Sequence, residues 1–218
     1  MKESLGLLLS ALKKGFRPKG APFYVFLAIL FAFLVIFSSR FFATRGEQTR
    51  IPEAFLQARE SAALVSRDIV ALTGSTNEKI RAVNLLDVQG DAESVERATS
   101  LLREAKNSNE EALSRAFELS EHLRALAQSL AGVSPLSSQR VAYEAIAIEL
   151  SLVSEFITYT KNLNAFLESL ERSIARRSTF QEQDALSNAL RDVNENTKTI
   201  NRLNNEFLAR VREFDKSL

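Results

Sequence analysis

Side chains with the means to do chemistry are few here and widely separated. His122 is the single histidine and cysteine is absent. This excludes thiol nucleophiles, thiolate metal centres, disulfides and any site built on two imidazoles. His122 stands beside Leu119 and Leu123 with Glu118 and Glu121 nearby, the setting of a boundary residue on an amphipathic helix. Neighbouring carboxylates such as Glu110 and Glu111 lack a partner at a spacing that would pair an acid with a base, and read as a solvated face. A glycine-rich phosphate loop, a Gly-x-Ser-x-Gly elbow and a Ser-x-x-Lys with its partner motifs are all missing. The expectation is a protein without catalytic residues, metal ligands or cofactors, and not an enzyme.

Two other groups of residues remain as candidates. Asn109, Thr160, Thr197 and Asn204 are polar positions inside otherwise apolar periodic runs, and Arg172, Arg176 and Arg177 cluster where one such run ends. What either group can do depends on the elements that carry them.

Those elements are helices. Glycine (7) and proline (4) are scarce among 218 residues, and after residue 53 the breakers are Gly74, Gly90, Gly132 and Pro135. They leave four segments, at about 52–88, 91–131, 137–176 and 179–217, each about 55 to 60 Å long as a helix. Equal helices joined by short turns form an antiparallel up-down-up-down bundle. In the second segment Val95, Ala98, Leu102, Ala105, Asn109, Ala112, Ala116, Leu119, Leu123, Leu126 and Leu130 follow at alternating steps of three and four, the sustained seam of coiled-coil-like packing. The fourth segment repeats this from Leu186 through Leu190, Val193, Thr197, Ile200, Asn204, Phe207, Val211 and Phe214 to Leu218. The third follows Tyr143, Ile146, Leu150, Val153, Ile157 and Thr160 before slipping to Leu163, Leu167, Leu170 and Ile174. In the first, Gly74 and a Ser75–Glu78 capping box interrupt the seam near Thr76, so a broken and a continuous helix are both open. Caps are expected from Asp91, Ser137 and a Thr179–Glu182 box, with Pro52 in the first turn of the first helix.

Folded about its turns, the bundle puts Asn109, Thr160 and Thr197 at one height and Asn204 opposite Ala62 and Ala116. A polar layer of this kind either holds a small ligand or fixes helix register, and register is the better-attested use of a buried amide. The three arginines either complement the carbonyl end of the third helix or form a docking patch at the bundle's distal tip.

Residues before the bundle differ in kind. Phe23 to Phe37 is an unbroken apolar run in which Phe23, Phe26, Phe31, Phe33 and Phe37 surround the helix axis, and Ala21 to Phe42 extends it. At about 1.5 Å per residue this stretch reaches about 33 Å, enough for a bilayer core. Residues 21–42 are therefore expected to be a transmembrane signal anchor, joined by a 43–51 linker to a bundle at 52–218. Residues 1–20 form a basic amphipathic segment that suits an inner-leaflet surface. Lys2, Lys13, Lys14, Arg17 and Lys19 outnumber Arg40, Arg45 and Arg50 across the segment, which puts the N-terminus in the cytoplasm and the bundle outside the cell membrane. From residue 40 onward acidic side chains outnumber basic ones, 26 to 23, so no nucleic-acid partner is expected.

In topology alone this arrangement resembles the four-helix sensor domains of bacterial chemoreceptors, where a transmembrane helix leads into an extracytoplasmic antiparallel bundle. The resemblance implies ligand sensing alongside a separate membrane partner, since no ligand motif, second membrane run or signalling module occurs within these residues. The reading drawn from the residues themselves is a single-pass, membrane-anchored scaffold or spacer, with the bilayer and either a protein partner or self-association as its contacts.

Overall fold

The computed structural model describes residues 51–88, 91–175 and 180–217. The basic segment, the apolar run with Phe23, Phe26, Phe31, Phe33 and Phe37, and most of the linker lie outside the described residues. Among the described residues all regular structure is helical: α1 (Glu53–Leu85), α2 (Ala92–Ser129), a 3-10 turn (Leu130–Gly132), α3 (Leu136–Ala175) and α4 (Phe180–Ser217). The four long helices make an all-α bundle. None of the described helices is long and apolar enough to cross a membrane.

Local chemistry explains the boundaries. Pro52, with φ of −63°, precedes α1, and its carbonyl accepts from the Phe55 N–H at 3.0 Å. Asp91 caps α2: Oδ1 accepts from the Ser94 N–H at 2.6 Å and Oδ2 from the Ser94 hydroxyl at 2.8 Å. Those bonds hold the Asp91 carboxyl below its ordinary pKa, the backbone one most strongly. α3 opens one residue before the expected Ser137 cap. There the Pro135 carbonyl accepts from the Gln139 N–H at 3.1 Å, a role for which proline's missing N–H is no handicap. Thr179 of the expected capping box lies outside the described residues.

α1 runs unbroken through Gly74. The Thr73 and Thr76 hydroxyls bond back to the carbonyls of Ile69 (2.7 Å) and Leu72 (3.0 Å) on either side of it. Ser75 makes no cap; its hydroxyl accepts from Lys79 Nζ, which also reaches Ser108 on α2. Burial of Thr76 and Ile80 in the core holds the helix across a glycine that alone would weaken it.

Cross-helix bonds define an antiparallel order. Asp68 pairs with Arg115 and Thr76 reaches Ala105 between α1 and α2. Asn109 reaches Thr160 between α2 and α3, and Glu155 and Glu144 meet Asn196 and Arg210 between α3 and α4. Backbones approach most closely along α1–α2 and α3–α4 and less along α2–α3, while side chains such as Phe55 and Phe214 join α1 to α4. Nine seam residues of α2, from Ala98 to Leu126, are its buried residues.

On α3 the buried stripe contains most of the expected seam, with Ile146, Val153, Thr160, Leu163, Leu167 and Leu170 all buried, but is wider than it. Tyr143 is 61% exposed, while Ala142, Ala145, Glu149, Leu152, Phe156, Tyr159 and Phe166 are buried. The apolar area of Leu152, Phe156 and Phe166 adds a second row to the seam, and Tyr143 at its first position is left outside.

Candidate functional site

At one end of the bundle the first turns of α1 and α3 meet the last turns of α2 and α4, with Phe55, Leu126, Val133, Ala142 and Phe214 in one apolar cluster. Just inside this end lies a cavity of about 50 Å³. Phe55, Phe207 and Phe214 form its apolar side, and small residues Ala62, Ala142 and Ala145 leave the space open. Two charged residues, Arg59 and Glu149, also line it. Each is only 7% exposed.

Helical periodicity puts both there. Arg59 follows Phe55 by four residues and precedes Ala62 by three; Glu149 follows Ile146 by three and precedes Val153 by four. Each therefore belongs to the inward stripe of its helix. Burial drives the Glu149 carboxyl up to about 7, because the surroundings do not solvate the charged form. Among the described residues Glu149 makes no ion pair. One turn deeper, Ser66 Oγ on α1 and Asn204 Oδ1 on α4 are buried with no hydrogen-bond partner among the described residues.

This end of the core is thus polar as well as apolar: a guanidinium and a carboxyl poised to titrate near neutrality line one small space, and a hydroxyl and an amide oxygen are buried beyond its walls. The space admits about four water-sized groups. It falls well below the roughly 300 to 1,000 Å³ of ordinary small-molecule pockets.

The expected polar layer is partly assembled. Asn109, 3% exposed, donates through Nδ2 to the Thr160 carbonyl at 2.7 Å and to Asn164 Oδ1 at 2.9 Å. The two hydroxyls do not meet it: Thr160 Oγ1 donates to the Ile157 carbonyl and Thr197 Oγ1 to the Val193 carbonyl. A second polar link, Asn162 to Asn196 to Glu155 at 2.7 and 2.6 Å, joins α3 to α4. Asn204 belongs with the cavity end and not with this layer. Both threonines bond to their own helix, where the preceding carbonyl is within reach, whereas the longer asparagine side chain crosses to α3.

Arg172 is exposed in the last turn of α3 and donates to Ser169 Oγ at 3.2 Å; Arg176 and Arg177 lie outside the described residues. His122 Nε2 is 3.9 Å from Glu118. Among the described residues no group of three His, Cys, Asp or Glu side chains is arranged to hold a metal ion.

Sequence reasoning missed Arg59, Glu149, Ser66, Asn162 and Asn196. The available signal was a charged residue at a seam spacing from its apolar neighbours, which looks the same as one just outside the seam until the helix rotation is known. Comparison with family models, curated proteins and solved structures finds no match to this chain.

Proposed function

We propose that this chain is a single-pass, membrane-anchored helical-bundle module that serves as a scaffold or spacer and presents its helix faces or distal tip to a protein partner. The anchor would be residues 21–42, with the N-terminus cytoplasmic and the bundle outside the cell membrane. The observation that carries this reading is the scale of the interior: helices of 33 to 40 residues around a core drawn from all four, against a cavity of about 50 Å³. A body of such long helices around one continuous core is suited to holding things apart or together. Arg172 with Arg176 and Arg177 remains the candidate docking patch, and Asn109 the candidate register element.

The chain has no cysteine, so a single Leu85→Cys variant tests the orientation. Leu85 is 85% exposed at the end of α1 away from the linker. Labelling by a membrane-impermeant maleimide in intact cells supports an extracytoplasmic bundle. Protection in intact cells with labelling after lysis overturns that orientation.

The cavity favours a second reading, a sensor-like bundle that binds a small ligand beside a separate membrane partner. Its ligand would have only a few heavy atoms. Thermal stabilisation by such a molecule, lost in Glu149→Leu, would support it.

A further inference from the structure

The end of the bundle that carries residue 51 also carries the α2–α3 turn. A Cβ on Gly132 would stand 2.5 Å from Pro52 Cγ, so this turn lies directly against the point where the chain enters α1. The turn is firmly held. Val133 and Leu130 are buried with Phe55 and Phe214, the Val133 N–H donates to the Leu130 carbonyl at 2.9 Å, and Gln139 Nε2 donates to the same carbonyl at 2.8 Å.

From this fixed base an apolar feature projects outward. Pro135 is exposed, Leu136 is 78% exposed and Tyr143 61%. Leu136, Arg140 and Tyr143 follow at steps of four and three and so share one face of α3. The Arg140 side chain is 77% exposed and 3.9 Å from Glu144. Along the helix axis Arg140 stands about 6 Å and Tyr143 about 10 Å above Leu136. A leucine at the tip, an arginine one turn up and a tyrosine beyond it match the depth order of a bilayer interface: acyl boundary, phosphates, outer headgroups.

We propose that the α2–α3 turn and the Leu136–Arg140–Tyr143 face of α3 dock on the lipid headgroup surface. This rests on the membrane-anchor reading above. The nine residues 43–51 join the apolar run to α1 and span at most about 30 Å, so the tip is confined near the bilayer. A tethered contact is intramolecular, at an effective concentration on the order of millimolar, and one leucine with an interfacial tyrosine then suffices where a free domain would not bind. Docking makes the bundle stand on the membrane in a fixed attitude, with Leu85 and Arg172 at the far end.

The chain has no tryptophan, so each of four variants of the full chain carries one fluorophore: Phe33→Trp, Leu136→Trp, Tyr143→Trp and Leu85→Trp. Each is reconstituted in phosphatidylcholine vesicles with or without bromine on the acyl chains, which quenches tryptophan on contact. Leu136→Trp is expected to be quenched, Tyr143→Trp less so and Leu85→Trp not at all; adding Leu136→Asp to Tyr143→Trp removes its quenching. Circular dichroism checks that each variant keeps its helix content. If Phe33→Trp is quenched while Leu136→Trp behaves like Leu85→Trp, the docking proposal fails and the anchor reading stands. If Phe33→Trp is not quenched, the anchor reading fails and takes the proposal with it. A blue-shifted but unquenched Leu136→Trp means that a second copy or another protein covers the face, which also overturns docking on lipid.

Discussion

Glu149 is predicted to make this bundle less stable as pH rises, and Glu149→Gln to abolish that loss. Burial lifts its pKa from 4.5 to about 7. The folded chain therefore binds more protons than the unfolded chain between those two values, and stability falls as pH rises through that window. A shift of this size corresponds to about 3 kcal/mol at 1.36 kcal/mol per unit, complete by about pH 8. That is an upper limit, because any water admitted to the cavity solvates the ionised form and lowers the desolvation cost. Glutamine keeps the shape and cannot ionise. At pH 8 it is expected to raise the stability of the chain by up to about 3 kcal/mol, or about 6 to 12 °C in Tm for a domain of this size, while at pH 4 the two proteins should melt together. The assay is thermal and urea denaturation by circular dichroism from pH 4 to 8, read as the difference between the two proteins, which cancels carboxylates such as Asp91 whose lowered pKa gives a slope of opposite sign. Parallel pH profiles for wild type and Glu149→Gln would refute the reasoning, since Glu149 would then be solvated or paired in the folded chain.

Asn109→Ala removes a buried amide that donates across to α3 and is expected to cost about 2 kcal/mol in urea denaturation. Ser66→Ala deletes a buried hydroxyl that has no partner among the described residues, and should leave stability unchanged or raise it by about 1 kcal/mol, visible as a higher Tm. The glycines should separate cleanly by the same measurement. Gly74→Ala, with open space around the new methyl, is expected to stabilise α1 by about 0.5 to 1 kcal/mol, whereas Gly132→Ala drives a methyl into Pro52 and should lower Tm.

Much of the fold was legible because the breakers and the seams agree. In α2 an apolar residue recurs at every three or four positions from Ala98 to Leu126 with Asn109 the one exception, so one face alone can go inside and these are its buried residues. In α1 the residues flanking Gly74 gave a divided answer, and packing of Thr76 and Ile80 against α2 decided it. In α3 the apolar residues are spread over a wide arc. Tyr143 and Ala142 differ by one position, about 100° of rotation, and local pattern does not say which points inward.

The same rotation hid the cavity end. Counting from Phe55, the seam can step to Ala58 or Arg59; counting from Ile146, to Glu149 or Leu150. The apolar choice looks right at both places, yet the structure buries Arg59 and Glu149 and leaves Ala58 and Leu150 at the margin. By itself the sequence determined four long helices, their ends and most of the α2 and α4 core, because periodicity and caps are properties of a single segment. Only the tertiary structure decided how far the buried stripes of α1 and α3 widen beyond their seams, and with that the partners of Asn109 and the burial of a titratable carboxyl. Those depend on the combined volume of side chains from four helices competing for one interior, a quantity that no single segment contains.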